Sequence, residues 1–174
     1  AARFPGSIVA AMIAGPKVGE VTTPGFEWFA AGHPDPNTAS VSAGRRALEL
    51  ARMAHGDRTL VVLLSGGASA LLAVPAAGLT LAEKLATTRA VMEAGVAIDG
   101  LNCVRKHLSA IKGGQLGAAA GRAMTLAISD VHGPVPDDPS VIGSGPTVGD
   151  PSTYADALQI VREAFQLIYS MNLR

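Results

Sequence analysis

Residues 59–72, Thr-Leu-Val-Val-Leu-Leu-Ser-Gly-Gly-Ala-Ser-Ala-Leu-Leu, decide how the rest of the chain is read. The apolar run 60–64 is continuous rather than alternating, the pattern of a strand covered on both faces, and parallel sheets bury their strands in this way. Ser65, Gly66 and Gly67 end the run, and their glycines permit positive backbone dihedrals and close approach. Ala70, Leu71 and Leu72 then resume the apolar pattern. The stretch predicts a strand, a tight turn and the start of a helix.

Working outward, the same signals recur. Further strands are expected at 8–13, 27–31 and 124–128, with 59–64 as the fourth. Between them lie helical segments with recognisable starts. Thr38 or Ser40 is expected to cap a helix through about Ala54, Thr80 and Glu83 form a capping-box pattern ahead of Leu81, and Asp150-Pro151 supplies a cap and first-turn proline for 152–168. Strands alternating with helices predict an α/β fold: a mostly parallel, Rossmann-like sheet with helices on both faces. In such sheets ligands collect beyond the carboxyl ends of the strands, where glycine and proline concentrate here.

Composition excludes several classes. The 174 residues carry 14 basic and 14 acidic side chains, so no net charge recruits nucleic acid or an anionic membrane. Aromatics make up 4%, which leaves no ring-and-cation pattern for stacking on bases. Cys103 is the only cysteine, which excludes an intrachain disulfide and a multi-cysteine zinc site and suits a cytoplasmic setting. No apolar stretch reaches membrane-spanning length, and no signal-peptide pattern opens the chain. Both ends are expected to be cuts in a longer domain. Self-association into a homo-oligomer is left open.

Three segments hold residues suited to chemistry. Ser65, Gly66, Gly67 and Ser69 can present successive N–H groups and hydroxyls to a phosphate or carboxylate, or can simply make a tight turn. The spacing is neither a Walker A loop nor a dinucleotide fingerprint. Residues 101–114 concentrate Arg105, Lys106, His107 and Lys112, followed by Gly113 and Gly114. Leu101, Val104, Leu108 and Ile111 form an apolar stripe at helical spacing, which leaves the cations for a solvated face or an anion site. Asp130 follows the strand 124–128, where a carboxylate can orient a hydroxyl, accept its proton or hold Mg²⁺. Asp137, Asp138 and Asp150 suit turn-closing roles better. His33, between Gly32 and Pro34, can face a ligand or merely satisfy the backbone, and the structural role is favoured. Ser144 and Gly145 lie in the Gly-Ser-Gly-Pro run at 143–146. No metal-site histidine spacing and no hydrolase nucleophile elbow is present.

Taken in order, GHPDPNTAS at 32–40, LLSGGASALL at 63–72, LNCVRKHLSAIKGGQL at 101–116, SDV at 129–131 and IGSGPT at 142–147 resemble the glycerate 2-kinase family. The resemblance covers roughly Ile8 to Ala164. It implies that 1–164 is the central part of a larger N-terminal α/β domain, an incomplete domain here, with 165–174 unassigned. It further implies ATP- and Mg²⁺-dependent phosphorylation of D-glycerate to 2-phosphoglycerate in cytoplasmic carbon metabolism. On these positions it implies Asp130, Arg105 and Lys112 as catalytic residues, Asp130 also as metal ligand. Ser65, Gly66, Gly67, Ser69, Gly113, Gly114, Ser144 and Gly145 are implied as substrate or phosphate contacts. Two departures stand out: Ala68 occupies a usual glycine position, and 132–136 lengthens the loop after Val131. The family's early lysine segment and its C-terminal domain do not appear. The competing expectations are a non-catalytic domain that binds an anion or nucleotide, and a hydroxypyruvate reductase, a label some family members carry.

Overall fold

The computed structural model describes residues 7–17, 25–129, 131–133 and 135–172. In chain order these form β1 (Ala11–Gly15), β2 (Phe26–Ala30), α1 (Thr38–Met53), β3 (Leu60–Leu64), the short α2 (Ala68–Leu71), α3 (Leu81–Glu93), α4 (Ile98–His107), the short α5 (Gln115–Ala118), β4 (Ala123–Ala127), a 3-10 turn at Ile142–Ser144 and α6 (Tyr154–Asn172). β1 pairs with β2 in parallel, Ala11 opposite Phe26, and β3 pairs with β4 in parallel, Leu60 opposite Ala123. A parallel pair needs a long crossover. That joining β3 to β4 contains four helices, and it carries most of the residues singled out above. The α/β class and the parallel pairing are as the sequence predicts.

Local chemistry fixes the helix starts. α1 is capped by Asn37, not by Thr38 or Ser40: Ser40 N donates to Asn37 Oδ1 at 2.9 Å, and Asn37 N donates to Ser40 Oγ at 3.1 Å. Ser40 therefore completes a capping box from the third helical position, and its hydroxyl also accepts from Gly32 N at 3.0 Å. α3 begins as expected, with Thr80 N donating to Glu83 Oε2 and Glu83 N to Thr80 Oγ1. α6 begins two residues later than predicted and runs to Asn172. Its reciprocal cap is made by Thr153 and Asp156, because Asp150 is occupied with Ser152 N, Ser152 Oγ and Lys106.

Two apolar clusters hold these elements. One joins Ala47, Leu48 and Ala51 of α1 to Val62 and Leu64 of β3 and to Val74, Ile111, Leu116 and Ile142. The other joins Val91 of α3, Leu101, Cys103 and Val104 of α4, and Ala157 and Ala164 of α6. Leu101 and Val104 are buried on α4 as the stripe predicts. Ile111 is buried too, but in the first cluster, because α4 ends at His107 and the segment 101–114 is not one helix.

The β3–β4 pair departs from the expectation of two covered faces. Among the described residues burial alternates along β3, where Leu64 is 8% exposed and Leu63 73%, and Met124, Leu126 and Ile128 beside it continue the open apolar face. A continuous apolar run thus accompanies a strand packed on one side only. Leu64→Ala is expected to cost about 2–5 kcal/mol in urea denaturation, whereas Leu63→Ala stays within about 0.5 kcal/mol. Equal losses would mean that the outer face is covered in solution.

Candidate functional site

Three loops converge beside the carboxyl end of β3, and backbone pairing makes them one unit. Gly113 N donates to Ser144 O at 3.1 Å, Gly114 N to Gly145 O at 2.7 Å and Gly117 N to Pro146 O at 3.1 Å. These bonds lay the turn after α4 along the 143–146 segment. Thr147 anchors that segment to β4 through a 2.6 Å hydroxyl contact with Thr125. Such close approach needs glycine: a Cβ on Gly114 would lie 3.0 Å from Val148 O, and φ at Gly114 is +84°. Gly143, Ser144 and Gly145 all have φ near +60°, unusual for the serine, which is almost fully buried.

Lys112 ties the third loop to the other two. Its amine, in a residue only 3% exposed, lies 2.7 Å from Ser69 O, 2.9 Å from Ser69 Oγ and 3.5 Å from Gly143 O. Ser69 Oγ in turn lies 3.0 Å from Ser144 Oγ. Ser69, Lys112, Gly113, Gly114, Ser144 and Gly145 are therefore brought together. The amides of Gly113, Gly114 and Gly145 are committed to loop carbonyls. Among the described residues, the amides of Gly66 and Gly67 meet no protein acceptor, and the exposed Ser65 precedes them. Donors for an anion remain there. Ala68 fits at the usual glycine position because Gly143 faces it: the nearest atom to a Cβ built on Gly143 is the Ala68 methyl, at 3.3 Å.

His33, for which the sequence left a ligand-facing and a structural role open, also reaches this place. A Cβ on Gly67 would lie 2.7 Å from the His33 ring, so the glycine is needed both for its φ of +81° and for the contact. Asp130 lies outside the described residues. Asp138 closes a turn as expected, accepting from Ser140 N at 2.8 Å, a bond that lowers its pKa. Asp150 joins α4 to the start of α6 through Lys106 at 3.4 Å. His107 is held by Cys103 O at 2.9 Å and by the edge of Tyr154. The expected solvated basic face is therefore not formed: Lys106 and Lys112 are buried.

A further buried cation was not singled out by sequence. Lys84 of α3, 5% exposed, donates to Leu108 O at 2.9 Å and to Arg105 O at 3.5 Å, which caps the end of α4. Its signal was present: it precedes buried Val91 by seven residues and so shares that face of the helix. Burial, with repulsion from Arg105, lowers the Lys84 pKa to about 8. Burial also lowers that of Arg105, whose Nη2 lies 3.8 Å from Met92 Sδ. Lys112 is pushed well below the usual lysine value by burial, then by Lys84 and Arg105. Three cationic side chains thus sit close enough to repel one another. Among the described residues none of them has a carboxylate partner within salt-bridge distance.

The folded state binds the Lys84 proton more weakly than the unfolded chain. Between about pH 8 and the ordinary value of 10.5 the unfolded state therefore holds more protons, and stability rises with pH. Below pH 8 the full cost of the buried charge is present. Between pH 7.5 and 10, Lys84→Met is expected to remove a rise in unfolding free energy on the order of 2 kcal/mol. Paired urea titrations read this directly. Parallel curves for the two proteins would show that Lys84 does not titrate in this range.

The chain matches the family described as a domain of unknown function, DUF4147, over residues 4–170. It is 46% identical over 138 residues to a putative hydroxypyruvate reductase of Agrobacterium vitis, covering 78% of this chain and 31% of that protein. It is 39% identical over 140 residues to the D-glycerate 2-kinase of Thermotoga maritima, covering 79% of this chain and 33% of the kinase. A crystal structure of glycerate kinase from Thermotoga maritima superposes with a TM-score of 0.78 at 36% identity, over 90% of this chain and 37% of that one. The chain spans about a third of the length of the relatives it matches. With a match over nearly its whole length and a shared fold, this chain belongs to the DUF4147 family, that of the glycerate kinases.

Proposed function

We propose that this chain is part of an enzyme that transfers the terminal phosphoryl group of ATP to the 2-hydroxyl of D-glycerate, giving 2-phosphoglycerate in cytoplasmic carbon metabolism. The observation that carries the reading is the loop after β3. Gly66 and Gly67 offer amides with no protein acceptor among the described residues, and the loop is backed by the rigid junction of Lys112 with the 143–145 turn. Phosphoryl transfer depends mainly on positioning and charge stabilisation, which such a framework supports.

The phosphates of ATP fit this loop: Ser65, Gly66 and Gly67 would hold oxygen atoms, and Arg105 would supply positive charge from the end of α4. ATP supplies the phosphoryl group. For Mg²⁺ the donor set differs. Among the described residues no three His, Cys, Asp or Glu side chains cluster to hold a metal. Magnesium bound through phosphates needs only one or two protein carboxylates, and Asp130 is the candidate.

A reductase reading draws on the name of the Agrobacterium vitis relative. The chain carries no Gly-x-Gly-x-x-Gly fingerprint after a strand to support nicotinamide binding. A coupled assay with D-glycerate and ATP, run beside a nicotinamide absorbance assay with hydroxypyruvate, separates the two. Phosphoglycerate is the expected product, and Arg105→Ala is expected to lower kcat/KM by roughly 10- to 100-fold. Hydride transfer without phosphoglycerate would replace the kinase reading. Unchanged kcat/KM in the variant would remove Arg105 from the site.

A further inference from the structure

His33 is held in place by its backbone and left without a polar partner. The turn that carries it is closed by Ser40, whose hydroxyl accepts from Gly32 N at 3.0 Å and from Asn37 N at 3.1 Å. Glycine is required at its start, because a Cβ on Gly32 would collide with Asp35 O. The turn therefore fixes where the His33 ring stands, and the ring rests on the loop after β3. A Cβ built on Gly67 would lie 2.7 Å from His33 Cδ2 and 2.9 Å from His33 Nε2, so the edge that bears Nε2 lies beside the Gly67 backbone. His107 shows what a structural histidine does in this protein: its Nδ1 donates to Cys103 O at 2.9 Å and its ring meets the edge of Tyr154. His33 differs. Among the described residues neither of its ring nitrogens has a hydrogen-bond partner, and His33, Ser65 and Gly66 are all exposed. Beside them are the unclaimed amides of Gly66 and Gly67. A space open to solvent is thus bordered by two amide donors and an uncommitted imidazole.

Resting on the kinase reading, we propose that His33 is a binding residue of this site, its Nε2–H donating to an oxygen of the anionic group that the amides of Gly66 and Gly67 hold. A neutral imidazole carries one N–H, and with neither ring nitrogen committed to protein the tautomer protonated at Nε2 is free to form. The ligand chemistry is that of a compact oxyanion with at least two acceptor oxygens, one for the amides and one for the imidazole. The triphosphate of ATP and the carboxylate of glycerate both have it. A third donor set apart from the two amides fixes the orientation of the oxyanion as well as its position. Because the ring already rests on Gly67, imidazole and amides hold their spacing before a ligand arrives, and little ordering cost falls on binding.

Two variants separate donation from packing. His33→Phe keeps a ring against Gly67 and removes the N–H, whereas His33→Gln gives up the ring and keeps an N–H donor at similar reach. Titration calorimetry with ATP and, separately, with D-glycerate reads the effect in the unaltered chain and in both variants. His33→Phe is expected to weaken one of the two ligands by roughly 10- to 100-fold, as for loss of a hydrogen bond to a charged group, and His33→Gln to restore it to within about fivefold. Loss in the ATP titration assigns His33 to the triphosphate, and loss in the glycerate titration assigns it to the carboxylate. Unchanged affinity of both ligands in His33→Phe would overturn the proposal. So would an equal loss in both variants, which marks a packing contact, and so would failure of the unaltered chain to bind either ligand. The coupled assay reads the kinase reading separately. Phosphoglycerate formed by a chain whose ligand affinities ignore His33→Phe overturns the role of His33 alone. Weakened binding in His33→Phe without phosphoglycerate from the unaltered chain overturns the kinase reading and keeps His33 as an anion contact.

Discussion

The amine of Lys112 is the contact on which the candidate site depends. It reaches across from the turn after α4 to Ser69 at the start of α2 and to Gly143 in the 142–145 turn, three places far apart in sequence. Desolvating a lysine is expensive, and a buried amine is tolerated only where each of its polar hydrogens is matched. The three oxygens around Lys112 meet that demand. Moving any one loop would leave a buried amine or carbonyl unpartnered, so each loop is held by the cost of separating from the others.

The glycines make this contact reachable. Gly113 and Gly114 adopt positive φ, and the lack of side chains lets their amides approach Ser144 O and Gly145 O. The opposing turn is shaped in the same way, with Gly143 and Gly145 flanking Ser144. Two glycine-rich segments that look like separate phosphate loops in sequence are thus the two halves of one backbone clasp. The loop after β3 differs. There Gly67 faces His33 on one side, and the amides of Gly66 and Gly67 are unclaimed among the described residues, so the capacity to meet an anion concentrates there.

Much of this was legible in the sequence. The strand at 60–64 ends within a residue of its expected limits, and the Thr80–Glu83 capping box forms as written. Caps that compete for one helix start were harder: Asn37, Thr38 and Ser40 all accept amide protons well, and only the fold shows that Asn37 and Ser40 satisfy each other. The basic segment misled for a different reason. Helical spacing from Leu101 to Ile111 implied one helix with an outward cationic face, but α4 stops at His107. Lys106 and Lys112 are buried because α3, α6 and the loops close over them. Charge on a side chain signals exposure only on average. What a lysine faces depends on neighbours distant in sequence, which is also why Lys84 escaped notice. The open face of β3 failed in the opposite sense, since an apolar residue says nothing about whether a covering element is present.

A chain with no net charge can still attract anions if its cations are placed together and its carboxylates elsewhere. Arg46 pairs with Glu27 and Glu49, and Lys106 with Asp150, so those charges cancel locally. Lys84, Arg105 and Lys112 lie near one another without such partners among the described residues. Each resists protonation of the others, so the cluster cannot easily carry its full formal charge. Its occupancy by protons is therefore linked to whatever negative charge approaches. An arriving phosphate or carboxylate favours proton uptake by the lysines, and uptake in turn strengthens the hold on the anion. The same low-dielectric setting that makes an unpaired cation costly makes a matched anion strongly favoured.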